Sequence, residues 1–143
     1  MSHVTVFTNG VFDLLPVGHA RLIAYAASLG TRLIVGINSD MSVRRLKGND
    51  RPIQPESDRA EILLRLKGVT EVIVFVDDTP EMLVRKLRPD VLVKGPEAAC
   101  QDLIPGAAFV KAYGGRVEVP AWVVEHSTTA IIERILQVHR TLF

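Results

Sequence analysis

An α/β fold, a Rossmann-like doubly wound five-stranded parallel sheet with helices on both faces, is the architecture this sequence predicts, on three observations. Short β-branched runs alternate with stretches of helical apolar spacing along the whole chain. Two of those runs, LIVGI and VIVFV, are continuously apolar, the pattern of strands buried on both faces and joined in parallel through helices. The 143 residues, 48% hydrophobic and 23% charged, fit one domain spanning 1–143, and no linker, internal repeat or low-complexity tract divides them.

Strands are predicted at Val4–Thr8, Leu33–Ile37, Val72–Val76, Val91–Val93 and Val117–Val119, each closed by Gly, Asn, Asp or Pro. Between and after them, apolar residues recur at helical spacing over Ala20–Leu29, Arg59–Leu66, Glu81–Leu87, about Ala107–Tyr113, and Thr129–Val138. Helix ends carry their own chemistry. Asp58 with Glu61 reads as a capping box, and Thr79 with Pro80 as an N-cap followed by proline in the first helical position. Gly30, Gly68 and Gly114 stand where C-terminal caps are expected. The longest irregular stretch, Lys47–Ser57, exceeds an ordinary connection and reads as a functional loop.

Seventeen basic residues against 16 acidic ones leave no overall field to hold nucleic acid or an anionic membrane, so any anion site must be local. The single cysteine, Cys100, excludes a disulfide framework and a cysteine-rich zinc site; it reads as an unpaired thiol in a reducing compartment. The amino terminus lacks the pattern of a secretory signal, and no apolar run approaches the roughly 20 residues that span a bilayer. The expectation is a soluble cytoplasmic protein. His3, His126 and His139 have no metal-ligand spacing, which argues against zinc. His126 reads as a candidate pocket residue, and Trp122 as core or pocket wall.

In an open parallel sheet the ligand crevice lies beyond the carboxyl ends of the strands. The exit of the first strand reads TNGVFDLLPVGHARLIAYA: small and amide residues at Thr8, Asn9 and Gly10, then Gly18 and His19 opening a helix. Free N–H groups and the positive end of a helix dipole suit such a turn to phosphate. GxGxxG is absent, as is the lysine of a P-loop, so two common phosphate motifs are excluded.

At NGVFDLLPVGH the chain resembles the nucleotidyltransferases whose signature is a glycine or asparagine turn, FD and then HxGH. The resemblance continues in order through LIVGINSDMSVRRLKGNDRPIQPESDRAEIL, DTPEMLVRKLRPDVLVKG and HSTTAIIERI, nearly the whole chain. Within that superfamily it is most similar to the heptose 1-phosphate adenylyltransferases, which in many bacteria are fused to a sugar kinase; no kinase segment is seen in this sequence. The resemblance implies transfer of AMP from ATP, or a nucleotidyl group from another nucleoside triphosphate, to a sugar phosphate, with Mg2+ and release of pyrophosphate. It also implies a homodimer and a separate sugar kinase in the pathway. Thr8, Asn9, Gly10 and Phe12 match the nucleotide-binding turn, with Gly18 at the helix start. Asp13 matches the FD carboxylate, which positions a metal or the acceptor, and His19 the second histidine. Lys47, with Arg44 nearby, matches a basic segment that reaches the β and γ phosphates. Lys94 and Gly95 match the VKG segment; Ser127, Thr128 and Thr129 match a segment contacting the nucleotide. His19, Lys47 and Asp13 are the implied catalytic residues.

Each feature has a plainer reading. Arg44, Arg45, Lys47 and Arg51 form a solvated basic face or a small nucleic-acid patch; Ser127 to Thr129 satisfy helix-start N–H groups; Asp13 is a turn or cap residue. Two positions depart from the family. Pro16 replaces the first histidine of HxGH, and proline offers neither a charge nor an N–H. After VKG the chain continues Pro96, Glu97, Ala98, where the heptose enzymes have glycine, aspartate and tyrosine, so acceptor recognition is open; Glu97 is a candidate replacement carboxylate. The alternatives are a cytidylyltransferase acting on glycerol or polyol phosphate, and a catalytically impaired nucleotide-binding protein.

Overall fold

The computed structural model describes residues 2–95, 103–121 and 127–142. Strands β1 (Thr5–Gly10), β2 (Arg32–Asn38), β3 (Glu71–Phe75), β4 (Val91–Val93) and β5 (Arg116–Glu118) form one sheet in the order β3-β2-β1-β4-β5. All four neighbouring pairs are parallel, with Thr8 opposite Val35 on one side and Val93 on the other. Helices α1 (Val17–Ser28), α2 (Asp40–Lys47), α3 (Glu56–Leu64), α4 (Glu81–Leu87), α5 (Ala107–Ala112) and α6 (Thr128–Leu142) complete the chain.

The alternation of side chains along each strand sorts the core into two clusters. Val6, Leu33, Val35, Ile37, Val91 and Val93 face α1 and α3, where Leu22, Ile23, Ala26 and Leu63 cover them. Phe7, Ile34 and Leu92 face the other way, onto Val84 of α4 and Ala107 and Val110 of α5. Helices therefore cover both faces, as a parallel sheet requires. Among the described residues no helix is long and apolar enough to cross a membrane.

Several local expectations are corrected. VIVFV is the edge strand: Val74 and Val76 are exposed, because β3 has a neighbour on one side alone. An unforeseen helix, α2, occupies residues assigned to no element, together with Lys47 from the start of the long connection. It buries few residues, among them Ser42 and Val43, so it carries no apolar stripe to detect. Its start is specified instead by Ser39, whose hydroxyl accepts from Ser42 N at 3.1 Å. The long connection shrinks accordingly, since Lys47 ends α2 and Glu56 begins α3.

Asp58 is not a cap. Pro55, already extended at ψ 156°, precedes α3, and Asp58 lies in its first turn. Glu56 reaches back to accept from Asp40 N at 3.0 Å, joining the starts of α2 and α3. Pro80 rather than Thr79 is the N-cap of α4. Leu29, not Gly30, caps α1; Gly30 is needed because a Cβ there would lie 2.5 Å from the Val4 carbonyl. Gly68 has φ 92° in a turn beyond the end of α3, whose C-cap is Arg65. Gly114 is as expected: at φ 88° it closes α5, with Gly114 N on Lys111 O and Gly115 N on Val110 O, the paired bonds of a Schellman motif.

Candidate active site

The connection leaving β1 runs through α1 to β2, on one side, while that leaving β4 runs through α5 to β5, on the other. Between these diverging connections a cleft of about 470 Å³ opens at the carboxyl edge of the sheet. The sequence-predicted residues largely converge on it. Asn9, Gly10, Phe12, Asp13, Gly18 and His19 line it from the exit of β1 and the start of α1; Lys47 comes from the end of α2; Lys94 and Gly95 follow β4; Ser127, Thr128 and Thr129 come from the start of α6.

Two do not line the cleft. Thr8 is fully buried beneath it with its hydroxyl unpartnered, because its register on the central strand turns the side chain into the sheet interior. Arg44 is exposed on α2, outside the lining. Glu97, Cys100, Trp122 and His126 lie outside the described residues. Asn38, Arg51, Asp78, Thr79 and Pro80 also line the cleft without having been singled out for it. The usable signal was positional: Asn38 ends β2, and Asp78–Pro80 follow β3, so both sit at the same edge of the sheet as the β1 exit.

The turn after β1 is tightly built. Phe12 adopts φ 50°, uncommon for a residue with a Cβ, and its buried ring packs against Gly10, where a Cβ would come within 2.9 Å of it. The same ring meets His19 edge to face, centroids 5.3 Å apart. This fixes the imidazole in the first turn of α1. Pro16 is the N-cap of that helix and supplies no side-chain hydrogen bond, and the first turn contains no acidic residue. His19 N bonds Pro16 O at 3.0 Å, and with no side chain capping it the helix start is open to an anion.

Asp13 has a definite task. Its buried carboxylate accepts from Ile53 N at 2.7 Å and Gln54 N at 2.9 Å, while the Gln54 side-chain amide donates to the Asp13 carbonyl. The 48–55 connection is thereby bolted to the turn after β1. Arg59 completes the fastening. Fully buried, it donates to the carbonyls of Gln54 (3.0 Å), Val11 (2.9 Å) and Asn38 (2.9 Å) and pairs with the Asp40 carboxylate at 2.8 Å. One guanidinium joins the exits of β1 and β2 to the loop between α2 and α3.

At α6, Ser127 accepts from Ala130 N at 3.0 Å, the N-cap role, and Thr128 donates to Leu14 O at 2.7 Å, docking the helix onto the turn after β1. Lys94 Nζ stands 3.5 Å from Asn9 Oδ1, bridging the exits of β1 and β4. The cleft therefore gathers His19, Lys47, Arg51 and Lys94 around two carboxylates that are both engaged: Asp13 by the loop, and Asp78 by Arg45 at 3.0 Å. Among the described residues no three His, Cys, Asp or Glu side chains converge as a metal cage. Asp13 and Asp78 are the carboxylates of the cleft lining that would share a magnesium ion with a bound triphosphate.

The cytidylyltransferase-like family model matches residues 7–134. Among curated proteins, the chain is 49% identical over 134 residues to bifunctional protein HldE of Geobacter sulfurreducens, covering 94% of this chain and 27% of that protein. It is 50% identical over 132 residues to bifunctional protein HldE of Pseudomonas aeruginosa PAO1, covering 92% of this chain and 28% of that one. The chain thus spans about a quarter of the length of these relatives. Among solved structures, the lipopolysaccharide core biosynthesis protein from Thermoplasma volcanium superposes with a TM-score of 0.66 at 24% identity, over 82% of this chain and 94% of that chain. A protein of unknown function from Archaeoglobus fulgidus superposes with a TM-score of 0.56 at 24% identity, over 83% of this chain and 99% of that chain; at this identity both likenesses concern the fold. With the matched span running from β1 into α6 and so enclosing every wall of the cleft, the chain belongs to the cytidylyltransferase-like family of nucleotidyltransferases.

Proposed function

We propose that this chain transfers AMP from ATP to a heptose 1-phosphate or a similar sugar 1-phosphate. One observation carries the reading: the cleft sets the side-chain-uncapped start of α1, with Gly18 and His19, opposite Lys47 and Lys94, a surround of donors fit for a nucleoside triphosphate. The near-50% identity to the HldE proteins supports adenylyl transfer to a heptose phosphate over other acceptors.

In this mechanism an acceptor phosphate oxygen attacks the α-phosphorus of ATP. The bond from that phosphorus to the β-phosphate's bridging oxygen breaks, and pyrophosphate leaves with the electron pair. No covalent enzyme intermediate is required, so the protein's work is alignment and charge stabilisation. His19 donates from the first turn of α1 to the phosphates, Lys47 and Lys94 neutralise charge building on them, and Asp13 acts by holding the loop that carries the basic wall. The start of α6 closes the nucleotide end through Thr128 and Thr129. Magnesium bound with the triphosphate supplies further neutralisation of the leaving pyrophosphate.

A second reading, a nucleotide-binding protein of little or no activity, is favoured by Pro16 alone. Loss of one transition-state donor costs about a hundredfold to a thousandfold in rate. The test is pyrophosphate release with magnesium, each nucleoside triphosphate in turn, and a panel of heptose, other sugar and polyol phosphates, for the native protein beside Pro16→His. Turnover of ATP with a sugar 1-phosphate is expected from the native chain. Preference for CTP with a polyol phosphate moves the assignment to a cytidylyltransferase. Silence from the native protein, with activity restored by Pro16→His, moves it to the impaired binder.

A further inference from the structure

We propose that Arg51 is a binding residue for the phosphate tail of the triphosphate, supplying positive charge beside the turn where Pro16 offers none. The inference rests on the reading of the cleft as a triphosphate site and adds to it a residue given no role in the mechanism above. Arg51 lines the cleft and is partly buried. Arg32, Arg45, Arg59, Arg85 and Arg116 each pair with a carboxylate; several other arginines do not, and among all the described arginines Arg51 is the one that lines the cleft. Arg51 has no such partner among the described residues; its side chain reaches the Thr129 hydroxyl at 3.5 Å, the outer limit of a hydrogen bond. A guanidinium left uncompensated beside Lys47 and the positive end of a helix is electrostatically unfavourable until an anion enters between them.

Its support is rigid on both sides. Gly48 N bonds Arg44 O at 2.9 Å and Arg51 N bonds Gly48 O at 3.2 Å before it; Ile53 and Gln54 are held by the Asp13 carboxylate after it. An arginine so placed loses little freedom on binding, and its planar fork matches two phosphate oxygens at once. The location also answers the departure at Pro16. Thr128 docks on Leu14, two residues before Pro16, and Arg51 reaches the adjacent Thr129, so the guanidinium lies at the junction of α6 with the turn that lost its histidine. Lys47 and Arg51 on one short segment suit a multiply charged tail better than a single phosphate monoester.

The test is calorimetric titration of the full chain with magnesium ATP, inorganic tripolyphosphate, AMP and glucose 1-phosphate, for native protein, Arg51→Ala and Arg51→Lys. Arg51→Ala is expected to weaken ATP and tripolyphosphate by about 10- to 100-fold while leaving AMP and glucose 1-phosphate within about twofold, and Arg51→Lys to fall between. Adding Pro16→His is expected to shrink the loss caused by Arg51→Ala. Unchanged ATP affinity, an equal loss for AMP, a loss confined to glucose 1-phosphate, or a native protein that binds neither ATP nor tripolyphosphate overturns the inference. If Arg51→Ala fails to fold, the Arg51→Lys comparison decides alone. Arg51-dependent tripolyphosphate binding, with no pyrophosphate released from ATP whichever acceptor is offered, sinks the transferase reading and leaves this inference standing.

Discussion

Arg59 concentrates more of the site's geometry than any residue that faces the cleft, because its single buried charge ties together three segments and one carboxylate. Replacing it by methionine removes those bonds and leaves Asp40, about a quarter exposed, without its partner. The expected cost is about 3 kcal/mol, read from denaturant midpoints. Asp13→Ala removes the acceptor of two part-buried N–H groups of the loop and is expected to cost roughly 2 kcal/mol, with a rise in KM for the triphosphate as the loop bearing Arg51 loosens. Thr8→Val should act in the opposite direction. It keeps the shape of a fully buried side chain and removes an unpartnered hydroxyl, so a gain of about 1 kcal/mol is expected; a loss of nucleotide affinity instead would show that the hydroxyl turns to ligand.

The contrast between these residues explains what was legible. Gly18 and His19 were readable as cleft residues because the helix that follows the first strand starts at the carboxyl edge of the sheet. Arg59 was not, since a buried arginine with carbonyl partners from distant segments has the same sequence appearance as a solvated one. Asp13 was legible as a residue of the cleft but not as the bolt of a loop some 40 residues away, a tertiary contact with no local signature.

At the scale of elements, the strands and the strongly periodic helices followed from their apolar spacing to within a few residues, because burial on a pleat or a stripe leaves a period in the chain. The element lost was α2. It lies over the sheet edge with few buried residues, so its cap and end charges specify it: Ser39 and Asp40 at the start, Arg44, Arg45 and Lys47 in the last turn. Ser39→Ala is therefore expected to cost about 1 kcal/mol and, unlike a change in the core, to weaken triphosphate binding by displacing Lys47. A calorimetric titration beside a thermal melt separates the two effects. The capping box at Asp58 failed for a related reason. An extended proline just upstream started the helix earlier, and Glu56 was taken up by α2.

Across the whole molecule, the strand order places β1 at the centre with one core on each face, and that order sets the cleft beside the exits of β1 and β4. Alternation of strand and helix was enough to expect this architecture, while the edge position of β3 was hidden in a run as apolar as the buried β2. A homodimer, a cytoplasmic location and a partner kinase supplying the sugar phosphate belong with the proposed function, and light scattering on the purified chain checks the first of them. The central claim is adenylyl transfer in the cleft, and label transfer tests it most directly: incubation of the native protein with ATP labelled at the α-phosphate, magnesium and a heptose 1-phosphate. The account predicts label appearing in an ADP-sugar with one pyrophosphate released for each. Label that remains in ATP, under conditions where calorimetry shows the ATP bound, contradicts it.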